Sequence, residues 1–384
     1  VIEKVQFRNF RAFRSLDLEL EPFTVLVGPN ASGKTTLLEG LSLLSESARS
    51  LFGKNEDLIF EEAIKSHGVV EPVGLEVSGD WFGCAGMARL NSLMRSMYVN
   101  GQPAQRQHIE MKGRWAGKSV PVDSIEINQS DRTGDSLFQP PLNVFRNALS
   151  STIALRFDSR RLAEPSYSED ESPVLSGDGS GLAALLAHLK LSRDEEFSEI
   201  EKSLVEIVPA VERIRIERAR VKPSSDATYS PVMSQSVWGH RISFDMRGAK
   251  GVPAGMVGEG TLMALGLLAA VLGPSQPHLV LLDDIELALH PVAQGRLVDV
   301  IRKIRKRRPE LQVLATSHSP FVLNYMQPGE IRMTFLAEDG SARCEKLEAH
   351  PEYRKWKDLM SPGEFWSTVG ESWMEKDPTS SPHE

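Results

Sequence analysis

Cysteine is almost absent: only Cys84 and Cys344 occur in 384 residues, far apart in the chain. This excludes a disulfide framework, a zinc ribbon and a CxxC hook. Positive charge is in deficit as well. With 44 Lys and Arg against 52 Asp and Glu, a net charge of −8, no overall basic field announces nucleic acid or an anionic membrane, so any nucleic-acid contact has to be a local patch. Long apolar runs are missing too. The longest, Leu262 to Leu272, is far short of the roughly 20 residues that span a bilayer; it ends in Gly273-Pro274 and reads as a buried helix. The opening Val1-Ile2-Glu3-Lys4-Val5-Gln6-Phe7 is strand-like and lacks the zones of a signal peptide. These features lead us to expect a cytoplasmic protein with no membrane partner. We find no internal repeat and no heptad run long enough for a coiled-coil arm.

What is present is a strand and helix alternation at both ends of the chain. Leu16, Leu18 and Leu20 alternate with Asp17, Glu19 and Glu21, and Phe23 to Val27 reads as a buried strand. From Lys34 the spacing of Leu37, Leu38, Leu41 and Leu44 is helical, so a glycine-containing loop joins strand to helix. After Gly251 the order is helix from Thr261, strand at Leu279 to Leu282, helix through Leu297, Val300, Ile301 and Ile304, and strand at Gln312 to Ala315. Such alternation implies a largely parallel sheet covered on both faces. We therefore expect an α/β chain with an N-terminal lobe at 1–50, a large, mostly helical insertion at 51–250, a C-terminal lobe at 251–350 and a tail at 351–384. Within the insertion, Leu182 to Val208 is predicted helical.

Gly28-Pro29-Asn30-Ala31-Ser32-Gly33-Lys34-Thr35 fits G-x-x-x-x-G-K-[ST] and lies between the predicted strand and helix, where a phosphate loop has to lie. Its glycines let backbone N–H groups turn inward around phosphate oxygens, and the positive end of the following helix, entered through Thr36, adds to the attraction. Lys34 is expected at the β- and γ-phosphates and the Thr35 hydroxyl on Mg²⁺. Leu279-Val280-Leu281-Leu282 ends in Asp283 and Asp284. A carboxylate at the end of a buried strand is placed to hold a magnesium shell, although the same pattern alone also describes a strand ending in a solvated turn. Ala315-Thr316-Ser317-His318-Ser319-Pro320 sets a histidine just past a second buried strand, and Gly258-Glu259-Gly260-Thr261 precedes an apolar helix whose amino end is either a plain cap or an anion cradle.

These four segments, in this order, resemble the nucleotide-binding domains of the ABC-type ATPase superfamily that includes the SMC, RecF and OLD proteins. The blocks Val5-Gln6-Phe7-Arg8-Asn9-Phe10-Arg11-Ala12-Phe13 and Asp283-Asp284-Ile285-Glu286-Leu287-Ala288-Leu289-His290-Pro291 are similar to the OLD-type AAA family ATPases of bacterial defence loci. The resemblance is strong over about 1–45 and 250–335 and looser over Arg160 to Gly181. It implies a P-loop NTPase fold of the ABC or SMC-head type, with ATP and Mg²⁺ as ligands. Asp283 then matches the magnesium aspartate, His318 the switch histidine, Gly258 to Thr261 the signature loop, and Arg11 or Arg14 a residue near the nucleotide. Two positions depart from the pattern. Asp284 stands where Glu is usual, one methylene shorter, so hydrolysis is expected either to be slow or to lean on Glu286. Gly258 stands where Ser is usual, removing a hydroxyl from the signature loop. Gln129 and Gln139 are the candidates for the Q-loop.

In this superfamily the signature loop reaches the partner's phosphate loop, so the resemblance implies a head-to-tail homodimer glued by ATP. Two alternatives stay open: a nucleotide-gated scaffold with little turnover, and a RecF-like DNA-repair ATPase. The stretch after Pro320 is short for the TOPRIM nuclease domain of OLD proteins, so an effector is expected on a separate chain, a TOPRIM-type nuclease among the options. Trp356, Phe365, Trp366 and Trp373 near the end of the sequence are either anchors for that partner or a helix folded over the chain's own sheet. Arg302, Lys303, Arg305, Lys306, Arg307 and Arg308 are either a solvated helix face or a phosphate-backbone contact.

Overall fold

A computed structural model describes residues 1–50, 65–69, 71–81, 84–99, 102–115, 125–127, 147–221, 236–286, 288–337 and 339–369. Gln129, Gln139 and Trp373 lie outside them. The chain divides into two compact units, Val1–Thr152 with His278–Asp284 and Arg308–Glu384, and Ile153–Pro277 with Ile285–Arg307.

The first unit contains two sheets and the phosphate-loop helix. Strands β1 (Ile2–Phe10) and β2 (Phe13–Glu19) form a hairpin turning at Arg11-Ala12, with Phe10 opposite Phe13. The alternation read from the sequence puts Val5, Phe7, Leu16 and Leu18 inside. β4 (Gly74–Trp81), β5 (Cys84–Val99), β6 (Gln102–Trp115) and β7 (Ile125–Ile127) extend this hairpin into an antiparallel sheet ordered β2-β1-β4-β5-β6-β7. The described part of 74–127 is therefore strand, not the mostly helical insertion expected from the sequence. Its pairing with β1 is long-range, and local periodicity carries no trace of it.

The second sheet holds β3 (Phe23–Val27), β12 (Leu279–Leu282), β13 (Gln312–Ser317), β14 (Ile331–Leu336) and β15 (Ala342–Lys346). β12, β13, β3 and β14 run parallel in that spatial order, and β15 closes the edge antiparallel to β14. β3 and β12 are buried at every position, as strands covered on both faces must be. Helix α1 (Lys34–Ser50) lays Leu37, Leu38, Leu41 and Leu44 into a core shared with Phe7, Phe10 and Phe13. Gly40 permits this approach: a Cβ there would come within 2.5 Å of the Phe7 ring.

The second unit is built from α2 (Ser159–Ala163), α3 (Leu182–Ser192), α4 (Asp194–Ile207), α5 (Glu259–Leu272), α6 (Pro291–Arg307) and a three-stranded sheet of β9 (Val211–Val221), β10 (Val237–Met246) and β11 (Ala249–Pro253). Short β8 (Thr152–Leu155) marks the passage of the chain from the first unit to the second. The single helix predicted from Leu182 to Val208 is two, broken at Arg193 (φ −145°, ψ 57°). α5 is buried on nearly its whole circumference, and Gly266 admits the Leu162 side chain, which would lie 2.7 Å from a Cβ at that position.

Candidate functional site

The parallel order of β12, β13 and β3 brings the ends of three strands together in the first unit. Ser317 lies opposite Val27 and Leu282 opposite Ala315, so the loops that leave these strands share one edge of the sheet. Ligands of open α/β sheets bind at such carboxyl ends. The loop from Gly28 to Thr35 leaves β3 here. Its turn needs positive φ at Ala31 (62°) and Gly33 (98°), the second supplied by glycine at no steric cost. Gly28 packs so closely under β14 that a Cβ would lie 2.2 Å from the Thr334 carbonyl oxygen.

Lys34 is buried, and its Nζ donates to the carbonyls of Gly28 (2.7 Å) and Pro29 (2.8 Å), which tether the ammonium to the loop. Ser32 is held from beneath: its Oγ lies 2.5 Å from Thr334 Oγ1, which in turn donates to the Val27 carbonyl at 3.2 Å. Thr35 and Thr36 open α1, and Thr35 Oγ1 donates to Asp283 Oδ1 at 3.4 Å. Asp283 follows β12 directly. A hydroxyl and a carboxylate oxygen this close form a hard-oxygen pair that suits Mg²⁺. Among the described residues there is no cluster of three or more His, Cys, Asp or Glu able to hold a metal.

Thr316 ties the two aspartates together. Its fully buried hydroxyl donates to Asp283 Oδ1 at 2.7 Å and accepts the Asp284 backbone N–H at 2.8 Å. Asp284 has φ 57°, a conformation that costs a non-glycine residue energy and needs external support. Its carboxylate is exposed, as is His318 one residue past β13. Sequence reasoning gave Thr316 and Thr334 no role; both stand at ordinary strand positions, and only the cross-strand geometry marks them.

Arg11 pairs with Glu39, one turn along α1 from Thr35, and lies over the Phe10 ring at 5.7 Å. Arg14 faces Asp339 at 3.5 Å. In the second unit, Gly258 is the exposed N-cap of α5 and accepts the Thr261 N–H at 2.9 Å, while Glu259 accepts the Ser159 hydroxyl at 2.8 Å and Gly260 and Thr261 are buried. A Cβ on Gly258 meets nothing within 4 Å, so the missing hydroxyl is not a steric necessity. Glu286 also belongs to this unit, where its carbonyl accepts the Leu289 N–H at 2.7 Å.

Two expectations take a definite form. On the basic face of α6, Lys303 pairs with Glu206 and Arg307 with Glu199. These two pairs offset part of the run's charge within the chain. At the C-terminal end Phe365 is fully buried in its own unit, edge-on to His350 (5.1 Å) and Tyr353 (5.2 Å), and the Gly363 N–H donates to Asn324 Oδ1 at 2.9 Å. The described part of the tail thus folds back on the chain; Trp356 is the exposed aromatic, at 38%.

The family described as "AAA domain, putative AbiEii toxin, Type IV TA system" matches residues 106–324, and that described as "AAA ATPase domain" matches residues 1–72. The DNA replication and repair protein RecF of Chloroflexus aggregans is 34% identical over 104 residues, 27% of this chain and 26% of that protein. The OLD nuclease of Thermus scotoductus is 43% identical over 44 residues, 12% of this chain and 8% of the nuclease. The chain thus aligns with about a quarter or less of the length of these relatives. An Smc head solved bound to the C-winged helix domain of ScpA superposes with a TM-score of 0.55 at 14% identity, covering 90% of this chain and 96% of that one. The fold is that of a P-loop NTPase of the SMC-head type, a mixed sheet flanked by helices.

Proposed function

The chain belongs to the AAA domain family that it matches over residues 106–324, and from that membership we propose that it binds and hydrolyses ATP with Mg²⁺ at the edge formed by β3, β12 and β13. The observation that carries the reading is the convergence of Lys34, Thr35, Asp283 and Thr316 on that edge. Gly28 to Thr36 wrap the phosphates with backbone N–H groups, and Lys34 exchanges its loop carbonyls for phosphate oxygens, a charge-assisted and stronger contact. Thr35 and Asp283 hold the cation. Magnesium, when bound, neutralises charge between the β- and γ-phosphates. Asp284 accepts a proton from the attacking water, His318 steadies the γ-phosphate, and Glu286 is the second candidate base.

The loop Gly258 to Thr261, in this reading, faces the phosphates of a second copy, so two chains complete two sites and ATP becomes part of the interface. Hydrolysis then removes charge-assisted contacts and opens the dimer, which controls a separate effector in a bacterial defence setting. A reading with little turnover draws on Asp284 and Gly258: the first shortens the base, the second deletes a hydroxyl. Phosphate release by the wild type and by Lys34→Ala tests the assignment. Magnesium-dependent turnover abolished by the substitution supports it; wild-type nucleotide binding in Lys34→Ala overturns it.

A further inference from the structure

The surface of the β9–β10 sheet differs in character from the rest of this acidic chain. β9 reads Val211-Glu212-Arg213-Ile214-Arg215-Ile216-Glu217-Arg218-Ala219-Arg220-Val221 and pairs antiparallel with β10, setting Phe244 opposite Ile214, Ile242 opposite Ile216, His240 opposite Arg218 and Trp238 opposite Arg220. Because side chains alternate across a strand, these eight residues share one face. Its first half is core: Ile214, Ile242 and Phe244 are buried. Its second half is open. Trp238 is 53% exposed, and the guanidinium carbons of Arg220 and Arg218 lie 4.1 and 4.7 Å from its ring centroid.

Two other arginines of this sheet are paired with carboxylates. Arg215 makes a two-pronged pair with Asp245 at 2.6 and 2.7 Å, and Arg241 binds Glu217 at 2.8 Å. Arg218 and Arg220 have no acidic partner among the described residues; Arg220 donates only to the Ser236 carbonyl at 3.1 Å. The acidic stretch that reaches β10 through the Ser166–His240 bridge bonds to its own neighbours, Glu169 to Tyr167 and Asp170 to Ser168. Among the described residues the face therefore presents a half-exposed indole with two guanidinium groups over its ring and no carboxylate paired to either, in a chain whose net charge is −8.

We infer that Trp238, Arg218 and Arg220 form a binding site for single-stranded nucleic acid. A half-exposed indole becomes a stacking platform for an unpaired base when a guanidinium leaves its ring for a phosphate, and stacking tolerates any base because every base has a π-face. Guanidinium forks match phosphate oxygens two at a time. Arg218 and Arg220 stand roughly 7 Å apart along the strand, the reach of one nucleotide step in an extended backbone. A duplex keeps its bases stacked inside and offers Trp238 nothing to stack on. An acidic peptide would satisfy the arginines but leaves the indole unused. The inference is independent of the nucleotide reading, and ATP-analogue binding serves as a folding control.

The test is anisotropy of labelled single-stranded DNA and RNA 20-mers titrated with the full chain across a range of salt, with a duplex and a poly-glutamate peptide as competitors. Trp238→Ala is expected to weaken binding about tenfold, within the range of base–aromatic stacking, while Trp238→Phe keeps most of it. Arg218→Ala with Arg220→Ala is expected to flatten the log–log salt dependence by about 1.4, two phosphate contacts at roughly 0.7 each. DNA and RNA arms that bind alike place recognition in base and phosphate; preference for one adds the sugar. Absence of binding at low salt, unchanged affinity in Trp238→Ala, duplex binding as tight as single-strand binding, or equal competition by poly-glutamate would each overturn the inference.

Discussion

Replacing Thr316 by Val keeps the shape of a fully buried side chain and deletes one hydroxyl, which isolates the bridge between Asp283 and Asp284. Two hydrogen bonds go at once: the donor to Asp283 Oδ1 at 2.7 Å and the acceptor for the Asp284 N–H at 2.8 Å. A hydrogen bond to a charged group is worth about 1.5–3 kcal/mol, and an amide left without its partner costs about 1–3 kcal/mol. We expect a global destabilisation of about 2–4 kcal/mol from the pair, since neither loss is fully expressed when water reaches the half-buried Asp283 and the exposed Asp284. The catalytic consequence is separable. Asp284 relaxes from its φ of 57°, the carboxylate loses its aim, and at about 1.4 kcal/mol per factor of ten kcat falls about 10- to 100-fold. The affinity for an ATP analogue changes little, because the phosphate loop is intact. Thr316→Ser, which keeps the hydroxyl, restores most of the turnover. A Thr316→Val protein that is destabilised yet hydrolyses ATP at the wild-type rate would refute the positioning argument.

Three further outcomes follow from the same geometry. Asp284→Asn is expected to retain ATP and cut turnover about 100-fold or more, as loss of a general base does, while Asp284→Glu speeds it by lengthening the reach; unchanged hydrolysis in Asp284→Asn moves the base to Glu286. Phe365→Ala is expected to destabilise the folded chain by about 3–5 kcal/mol in denaturant titrations, because the ring is fully buried against His350 and Tyr353; a near-neutral result would restore the tail to a docking role. Burial holds the His350 imidazole below its ordinary value of 6.5, so the unfolded chain takes up the proton first. The stability this site contributes is full above about pH 6.5 and is lost as pH falls through the lower folded value; melting curves of wild type and His350→Gln should therefore converge on acidification, and parallel curves would contradict it.

The elements that build the candidate site were legible in the sequence because they are local. The glycine spacing of Gly28 to Lys34, the apolar run into Asp283 and the strand before His318 each announce themselves within ten residues, and the alternation of strands and helices places them at one sheet edge. What supports the site was not legible. Thr316 and Thr334 act across strands distant in sequence, and nothing in their own neighbourhoods distinguishes them from core threonines. The sheet at 74–127 escaped for the same reason, since its pairing with β1 is long-range. In the tail the aromatic count was right to draw notice, but sequence does not say whether Phe365 points into the chain's own core or away from it. For the basic run on α6 the sequence left a solvated face and a phosphate contact both open, because the partners of Lys303 and Arg307, Glu206 and Glu199, sit on α4 about a hundred residues upstream.

In the function we propose, ATP completes a site shared by two copies, with Gly258 to Thr261 of one chain against the phosphate loop of the other. Mass by light scattering, with Mg²⁺ and a slowly hydrolysed ATP analogue, measures this directly. We expect a shift from monomer to dimer on nucleotide addition. The shift should be abolished in Lys34→Ala and strengthened by Gly258→Ser, where a Cβ has open space and the hydroxyl adds a contact to phosphate. A chain that binds the analogue yet stays monomeric at every nucleotide and protein concentration would contradict it.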